Sequence, residues 1–307
     1  MSVLSLEKGN PIAIIKGGKF KGNTIYLDKQ SSTMDNYNPK ELAEFVDDFY
    51  NSMDNTLDMD KMDDLQSAID NRKPPKDKDL RVFYSKCLKL MNIDKNKSID
   101  IDEDEIVPVF DTTKERSVFM VSGMSGSGKS YYTANLCKMY HEQYPDNKIF
   151  LFSNKKSDPV FDVLEYIYRI SIDDSLLADK LTLDEIKNSL VLYDDVEFTA
   201  NKEIDAELTR LSDLILQQGR SVKISFVYIT HQSNNYKATK NILNECHSVT
   251  IFPQMTTRYS LKYLLNNYFG FTKPVIDKIC KLPSRWVNIS KSPPVVLHSK
   301  GCYLVDC

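Results

Sequence analysis

The sequence lacks the features of a secreted or membrane-spanning protein and of a metal centre built from cysteine and histidine. Its longest apolar runs reach only about half a dozen residues, whereas a spanning helix needs about 20. The N-terminus has no apolar core of the signal-peptide type, so we expect no secretory leader. The six cysteines form no C-x-x-C pair and do not cluster with the four histidines, so we expect reduced thiols rather than disulfides or a metal centre. These absences favour a soluble protein with an ordinary hydrophobic core.

Glycine is also sparse, yet three of the ten glycines fall within one octapeptide near the middle of the chain. Residues 123–130 read Gly-Met-Ser-Gly-Ser-Gly-Lys-Ser and match the phosphate-loop pattern G-x-x-x-x-G-K-[ST]. Glycines allow a tight turn whose backbone N–H groups point at a polyphosphate, Lys129 reaches the β- and γ-phosphates, and the Ser130 hydroxyl ligates Mg²⁺. The pattern predicts that ATP and Mg²⁺ bind here. The residues assigned to nucleotide binding are Gly123, Ser125, Gly126, Ser127, Gly128, Lys129, Ser130 and Tyr131.

The flanks of the octapeptide have the order that a phosphate loop requires. Residues 117–122 form a short, nearly continuous apolar run, which is typical of a parallel strand covered on both faces. Residues 129–144 then place apolar side chains at helical spacing, and Pro145 stops the helix. Strand, loop and helix therefore follow one another as in a nucleotide-binding α/β protein.

A second motif, at residues 190–197, reads Leu-Val-Leu-Tyr-Asp-Asp-Val-Glu. Ligands of such sheets lie at the carboxyl ends of the strands, where this apolar run ends in acids. We expect Asp194 to hold Mg²⁺, usually through water, and Asp195 to polarise the attacking water.

A third motif follows another apolar run, residues 224–229, which ends in Thr230-His231-Gln232. In NTPases with an additional strand between the phosphate-loop strand and the acidic strand, a polar residue at the end of that strand reaches the γ-phosphate or the attacking water. Gln232 fits this role best by side-chain reach, and His231 and Thr230 are the alternatives. Upstream, a helix with apolar residues at helical spacing ends at Gly219, an expected glycine C-cap.

Composition shifts divide the chain into four regions. Residues 1–30 contain two strand-like runs around glycines and predict a small β-hairpin module. Residues 31–107 are acidic and predicted to be a partly helical linker, residues 108–256 form the nucleotide-binding core, and residues 257–307 form a basic C-terminal extension. The acidic region is expected to be a solvated face, and the basic region is a candidate surface for a polyanion.

The order phosphate loop, Asp194-Asp195, Gly219-Arg220, strand and Thr230-His231-Gln232 resembles the FtsK/HerA superfamily of DNA-pumping ATPases. Within it, the chain looks most like the poxvirus-type genome-packaging ATPases of large DNA viruses. The resemblance covers roughly residues 108–260, and the more specific signal is the stretch 219–232. It implies a P-loop NTPase core with a doubly wound, mainly parallel sheet, in which the strand ending at Gln232 lies between the other two motif strands.

The resemblance makes Arg220 a candidate arginine finger acting on a neighbouring subunit and Gln232 the sensor. It departs from the family at Asp195, where many members have Glu, so the base is either Asp195 or Glu197. It also implies a homo-oligomeric ring that hydrolyses ATP and moves double-stranded DNA into a viral capsid. Capsid or viral inner-membrane proteins are the further partners, and the host cytoplasm, with its viral factories, or the virion is the location.

Two other functions remain open. A nucleoside or nucleotide kinase also uses a short phosphate loop, but it is expected to carry a lid with paired arginines, and arginines are sparse and dispersed here. The other alternative is a slow ATP-dependent scaffold that moves nothing. Stimulation of ATP hydrolysis by long duplex DNA separates the motor from both.

Overall fold

The computed structural model describes residues 2–18, 20–29, 59–70, 74–78, 80–81, 84–85, 97–101, 106–111, 113–196, 199, 201–231 and 236–305. The strands are β1 (Ser2–Ser5), β2 (Asn10–Ile15), β3 (Thr24–Lys29), β4 (Ser98–Asp100), β5 (Ile106–Pro108), β6 (Val118–Ser122), β7 (Lys148–Ser153), β8 (Ile167–Ser171), β9 (Ser189–Asp194), β10 (Ser225–Thr230), β11 (Ser248–Ile251), β12 (Val287–Ser290), β13 (Val295–His298) and β14 (Gly301–Leu304). The helices are α1 (Met59–Asp70), α2 (Lys129–Gln143), α3 (Pro159–Asp162), α4 (Ser175–Ala178), α5 (Lys202–Gln218), α6 (Tyr236–Glu245), α7 (Arg258–Phe269) and α8 (Lys273–Cys280), with a 3₁₀ turn at Pro253–Met255. Among the described residues, no helix is long and apolar enough to cross a membrane.

The chain divides into two compact units. One contains residues 1–4 and 28–99, and the other contains residues 5–27 and 100–307. In the first unit, α1 buries Leu65 and Ala68 on one face. The spacing of three residues places both side chains on the same side of the helix. All three nucleotide motifs belong to the second unit.

The main sheet of the second unit runs in the order β14–β13–β12–β11–β6–β10–β9–β7–β8. Neighbouring strands from β11 to β8 are parallel, whereas β12, β13 and β14 continue the sheet in antiparallel pairs. Strand β10 lies between β6 and β9, so the predicted arrangement of the three motif strands is confirmed. The predicted α/β class with a mainly parallel core is confirmed as well.

Helices cover both faces of this sheet, which is why its central strands β6, β10 and β9 are buried at every position. Along β6, Val118 and Met120 face one core, which includes the apolar side of α5. Phe119 and Val121 face the other core, which includes the apolar side of α2. The alternation follows from the two-residue period of a strand. Two layers of helices on a parallel sheet make the core doubly wound.

Helix α5 ends at Gly219, so the predicted glycine C-cap is confirmed. Asn201 caps the N-terminus by accepting a hydrogen bond from the Glu203 N–H. The φ of Gly219 is −60°, which lies in the right-handed region that any residue can adopt. A Cβ at this position would lie 2.5 Å from the Ile215 carbonyl oxygen and 3.0 Å from Arg116 Nη1. Crowding, rather than an unusual dihedral angle, excludes a side chain.

The strand-like runs of the first thirty residues form part of a second, small antiparallel sheet. β2 pairs with β3 through an irregular register at Pro11 and Ala13, and β5 pairs with the other edge of β2. Strands β13 and β14 form the C-terminal hairpin. Its turn contacts the start of β5, because the Ile106 N–H donates to the Ser299 carbonyl at 3.0 Å. Residues 106–108 and the hairpin are thereby held next to each other.

Candidate nucleotide site

The three motifs meet at one edge of the main sheet because their strands are parallel. In the registers, Thr230 on β10 is the partner of Ser122 on β6, and Asp194 on β9 is the partner of Ser153 on β7. Four strands therefore end at the same level. The residues that follow them form the candidate site, as expected for a sheet of this topology.

The phosphate loop, residues 123–130, bends on glycines with positive φ. Gly126 has φ 74° and Gly128 has φ 106°, and Gly128 is the N-cap of α2. Helix α2 begins at Lys129, so its first N–H groups and its dipole face the loop. Such a helix terminus binds phosphate oxygens.

Gly123 has no space for a side chain. A Cβ there would lie 2.7 Å from the Phe252 ring and 2.7 Å from Ser127 Oγ. Ser127 is fully buried, and its hydroxyl makes no hydrogen bond within the described part of the chain. A buried polar atom of this kind is costly unless a partner satisfies it. A bound phosphate would supply that partner.

Arg285 holds the outer side of the phosphate loop. Its Nε donates to the Ser127 carbonyl at 2.8 Å and its Nη2 donates to the Gly126 carbonyl at 2.9 Å. The guanidinium also packs closely on Gly128, where a Cβ would lie 3.3 Å from Nε. Arg285 therefore fixes the backbone of the phosphate loop at two successive carbonyls.

Lys129 and Asp195 are joined through His231. Lys129 is 7% exposed, and its Nζ donates to the Gly123 carbonyl at 2.8 Å and lies 3.1 Å from His231 Nδ1. His231 Nε2 lies 2.9 Å from Asp195 Oδ2. An ammonium donates and a carboxylate accepts, so the ring accepts at Nδ1 and donates at Nε2. The phosphate-loop lysine and the acid after β9 are thus linked by one imidazole.

The two adjacent acids have different surroundings. Asp194 is 1% exposed and accepts a hydrogen bond from Ser153 Oγ at 3.2 Å. Burial raises the pKa of Asp194, and the Lys155 ammonium, 3.5 Å away, opposes that rise. Asp195 has φ 53°, and its buried Oδ1 has no hydrogen-bond partner among the described residues. Backbone strain and an unsatisfied carboxylate oxygen in one residue are typical of a functional position.

Lys155 occupies the centre of an acidic cluster. Its Nζ lies 3.5 Å from Asp194, 3.5 Å from Asp195 and 3.8 Å from Asp158. Burial alone would lower the pKa of Lys155, but the three carboxylates outweigh it and raise the pKa. The cluster is therefore a place that attracts cations.

The oxygen donors fit Mg²⁺. Ser130 Oγ donates to Asp158 Oδ2 at 3.4 Å, and the Lys155 ammonium connects Asp158 to Asp194. Hydroxyl and carboxylate oxygens are the ligands that Mg²⁺ takes, together with water and substrate phosphates. Ser130 and Asp194 are the residues that would hold the ion.

Arg220 lies away from this site. It follows α5 and precedes β10, whereas the phosphate loop lies past the other end of that strand. Six residues of strand span about 20 Å, so this arginine does not belong to the site of its own subunit. It forms an ion pair with Glu115, and both side chains are exposed.

The structure describes most, but not all, of the residues that the sequence predicts for the site. Tyr131 is 62% exposed on the first turn of α2. Glu197 and Gln232 lie outside the described residues. His231, expected only as the alternative to Gln232, contacts both Lys129 and Asp195.

Sequence reasoning missed four residues of the site, namely Ser153, Lys155, Asp158 and Arg285. The first three follow the apolar run of β7, and polar residues after a buried strand are a signal that could have found them. Arg285 has no such signal. It lies in the segment before β12, which reaches the loop only through the fold.

The strand order and the phosphate loop together define the chain as an α/β protein with a P-loop NTPase core. No protein-family model matches the sequence. Protein V3 of Sputnik virophage, an uncharacterized protein, is 35% identical over 207 residues, which are 66% of this chain and 83% of that protein. The chain therefore belongs to the family of this virophage protein.

Solved structures give weaker matches. The genome packaging NTPase B204 of Sulfolobus turreted icosahedral virus 2, in complex with AMPPCP, has 12% identity and a TM-score of 0.42, with 61% of this chain and 98% of that chain covered. The conjugation coupling protein TcpA of pCW3, with ATPγS, has 11% identity and a TM-score of 0.45, with 66% of each chain covered. Both scores are low, and the fold assignment rests on the strand order of the chain itself.

Proposed function

We propose that the protein is an ATP-hydrolysing motor that translocates double-stranded DNA and packages a viral genome. The observation that carries the ATPase is the meeting of the phosphate loop, Asp194-Asp195 and His231 at one sheet edge. The order of motifs at residues 219–232 supports a motor of the FtsK/HerA type, poxvirus-like branch. The virophage relative supports a viral setting, in the host cytoplasm or the virion.

The site performs hydrolysis mainly by positioning and charge neutralisation. Loop N–H groups and Lys129 would bind the phosphates, Ser130 and Asp194 would hold Mg²⁺, and Asp195 would orient the attacking water. The ion, when bound, neutralises charge on the β- and γ-phosphates. Lys129 must leave His231 in part to meet a γ-phosphate, so binding of ATP changes the contacts that His231 makes to Asp195.

A ring of identical subunits completes the proposed site. Arg220 is exposed and lies at the other end of β10 from the phosphate loop, which leaves it available to a neighbouring subunit. Its ion pair with Glu115 is a surface pair and costs little to break. Head-to-tail contacts between identical subunits close into a ring when the rotation allows it. Capsid or viral inner-membrane proteins would anchor such a ring.

The experiment that tests the motor is ATP hydrolysis with and without long duplex DNA. We expect DNA to accelerate hydrolysis, and Lys129→Ala to reduce it by about 10²–10³ because a phosphate-neutralising donor is lost. Lys138→Ala is the matched control, since Lys138 is exposed on the same helix, α2. ATP turnover that is indifferent to DNA would favour the scaffold. Transfer of phosphate to a nucleoside or nucleotide would favour the kinase.

A further inference from the structure

A cavity of about 220 Å³ adjoins the phosphate loop on the side of Arg285. Its walls come from the first turns of α2, from β5 and from the C-terminal hairpin. They include Pro108, Gly128, Tyr131, Asn135, Trp286 and Ser299. The active-site acids do not line it.

The direction in which the phosphate loop runs predicts which part of a nucleotide lies near this cavity. Lys129 and Asp195 mark the end of the loop where the γ-phosphate belongs. The first turn of α2 binds the α-phosphate, so the nucleoside leaves the loop near Tyr131. The cavity begins at that turn.

The walls of the cavity suit a flat aromatic ring. Trp286 is held against Tyr132, with ring centroids 5.1 Å apart, and the Tyr132 hydroxyl is itself fixed by a hydrogen bond from Thr250 at 2.9 Å. Tyr131, on the same turn of α2, supplies a second ring. Ligand pockets of this kind are mostly apolar with a few polar groups, and aromatic side chains stack on nucleobases.

We infer that this cavity binds the nucleobase of ATP, with Trp286 and Tyr131 as its aromatic contacts. The inference rests on the proposed ATPase function and adds the part of the site that recognises the base. It also gives the C-terminal segment a direct role, because Arg285 shapes the phosphate loop and Trp286, the next residue, contacts the base.

Trp286 is the sole tryptophan of the sequence, so its fluorescence reports on the cavity alone. We would titrate the full-length protein, in Mg²⁺, with ATP and with tripolyphosphate, which has the phosphates of ATP but no base. Calorimetry measures binding of each ligand independently of the fluorescence. We expect both ligands to bind, and only ATP to change the Trp286 emission.

A variant tests the second aromatic contact without disturbing the core. Tyr131 is exposed, so Tyr131→Ala should fold normally. It should weaken ATP about ten-fold and leave tripolyphosphate unchanged, since stacking on a base is lost. Tyr259→Ala is the matched control, because Tyr259 is 78% exposed on α7. It should change neither affinity.

Three outcomes would overturn the inference, and they separate it from the ATPase proposal. If ATP binds but leaves the Trp286 emission unchanged, the base lies elsewhere and the ATPase proposal stands. If Tyr131→Ala weakens both ligands equally, Tyr131 supports the loop rather than the base. If neither ligand binds the parent protein, both proposals fail.

Discussion

Nδ1 of His231 lies 3.1 Å from Nζ of Lys129, so the lysine that we expect to meet the γ-phosphate contacts an imidazole ring. The other ring nitrogen contacts Asp195. If a bound phosphate draws Lys129 away from His231, we expect the contact between His231 and Asp195, the acid proposed to orient water, to change. ATP binding would then affect the position of the Asp195 carboxylate.

Replacing His231 should separate binding from chemistry. His231→Ala removes a hydrogen bond to the Asp195 carboxylate, and bonds to charged groups contribute about 1.5–3 kcal/mol, so kcat should fall about 10- to 100-fold. KM for ATP should stay the same or fall, because the imidazole that competes with the phosphates for Lys129 is removed. Steady-state kinetics measure both. His141→Ala, at the far end of α2, is the control. A raised KM with parent kcat would contradict this role.

Replacing Asp194 and replacing Asp195 should impair different steps of the ATPase reaction. Asp194→Asn should weaken Mg²⁺-dependent ATP binding, whereas Asp195→Asn should bind ATP without hydrolysing it, if one residue holds the ion and the other orients water as proposed. Binding is measured by calorimetry at several Mg²⁺ concentrations, and turnover by phosphate release. Equal loss of binding in both variants would refute the division. Full activity in Asp195→Asn, with loss in Glu197→Gln, would assign the base to Glu197.

Mixing inactive variants tests whether Arg220 acts between subunits. Arg220→Ala should bind ATP and assemble, yet hydrolyse about a thousand-fold more slowly. Combined with Lys129→Ala, it should regain activity, because a mixed interface pairs an intact loop with an intact Arg220. Particles shown to contain both variants, but inactive at every ratio, would exclude an arginine supplied in trans.

The exposed basic face of α7 should contribute to DNA binding. Arg258 and Lys262 are both exposed, and replacing them together with Gln should weaken binding of any DNA sequence. The slope of log affinity against log salt should become shallower by about one to two units. Lys138→Gln with Lys202→Gln, on α2 and α5, is the control pair. An unchanged slope would show that the α7 charges make no phosphate contacts.

His247 should make stability depend on acidity. Burial, with the nearby Lys114 and Arg116, lowers its pKa from 6.5 to about 4, and its Nδ1 accepts the Val118 N–H at 2.9 Å. Below pH 6.5 the unfolded chain binds a proton at His247, whereas the folded chain does so only near pH 4. The stability that depends on neutral His247 is therefore fully present above pH 6.5 and is lost as the pH falls towards 4. Since the ring is partly solvated, we expect a loss of about 2 kcal/mol.

The matched variant for this effect is His247→Asn, whose amide oxygen can still accept the Val118 N–H but does not titrate. Denaturant unfolding at pH 7 and pH 4.5 gives the change in the free energy of unfolding for each protein. The variant should lose less stability than the parent on acidification. Parallel losses would show that other groups cause the dependence.

The central strands and the phosphate loop were predictable because their patterns are local. The apolar run of residues 117–122 and the glycines after it specify a buried strand and a tight turn without knowledge of distant contacts. The position of β10 between β6 and β9 was predictable only through the family resemblance. Periodicity does not state which strands are neighbours.

The contacts that complete the site depend on tertiary structure. Lys155 is one of many lysines in the sequence, and its three carboxylates come from two separate chain segments. His231 and Gln232 are adjacent, and side-chain reach alone favoured the latter. The crowding at Gly219 likewise depends on Arg116, about a hundred residues away in the chain. Such relationships arise only when the segments are packed together.

The hydrogen bonds from Arg285 to the carbonyls of the phosphate loop also affect when, during synthesis, the protein can bind nucleotide. Arg285 follows Gly126 by 159 residues, so a ribosome must synthesise most of the chain before these hydrogen bonds can form. Domains fold as units during synthesis, with the N-terminal part first. We therefore expect nascent chains that end before Arg285 to have the central strands but to bind nucleotide poorly. Affinity for ATP would then appear late, when the C-terminal strands join the sheet.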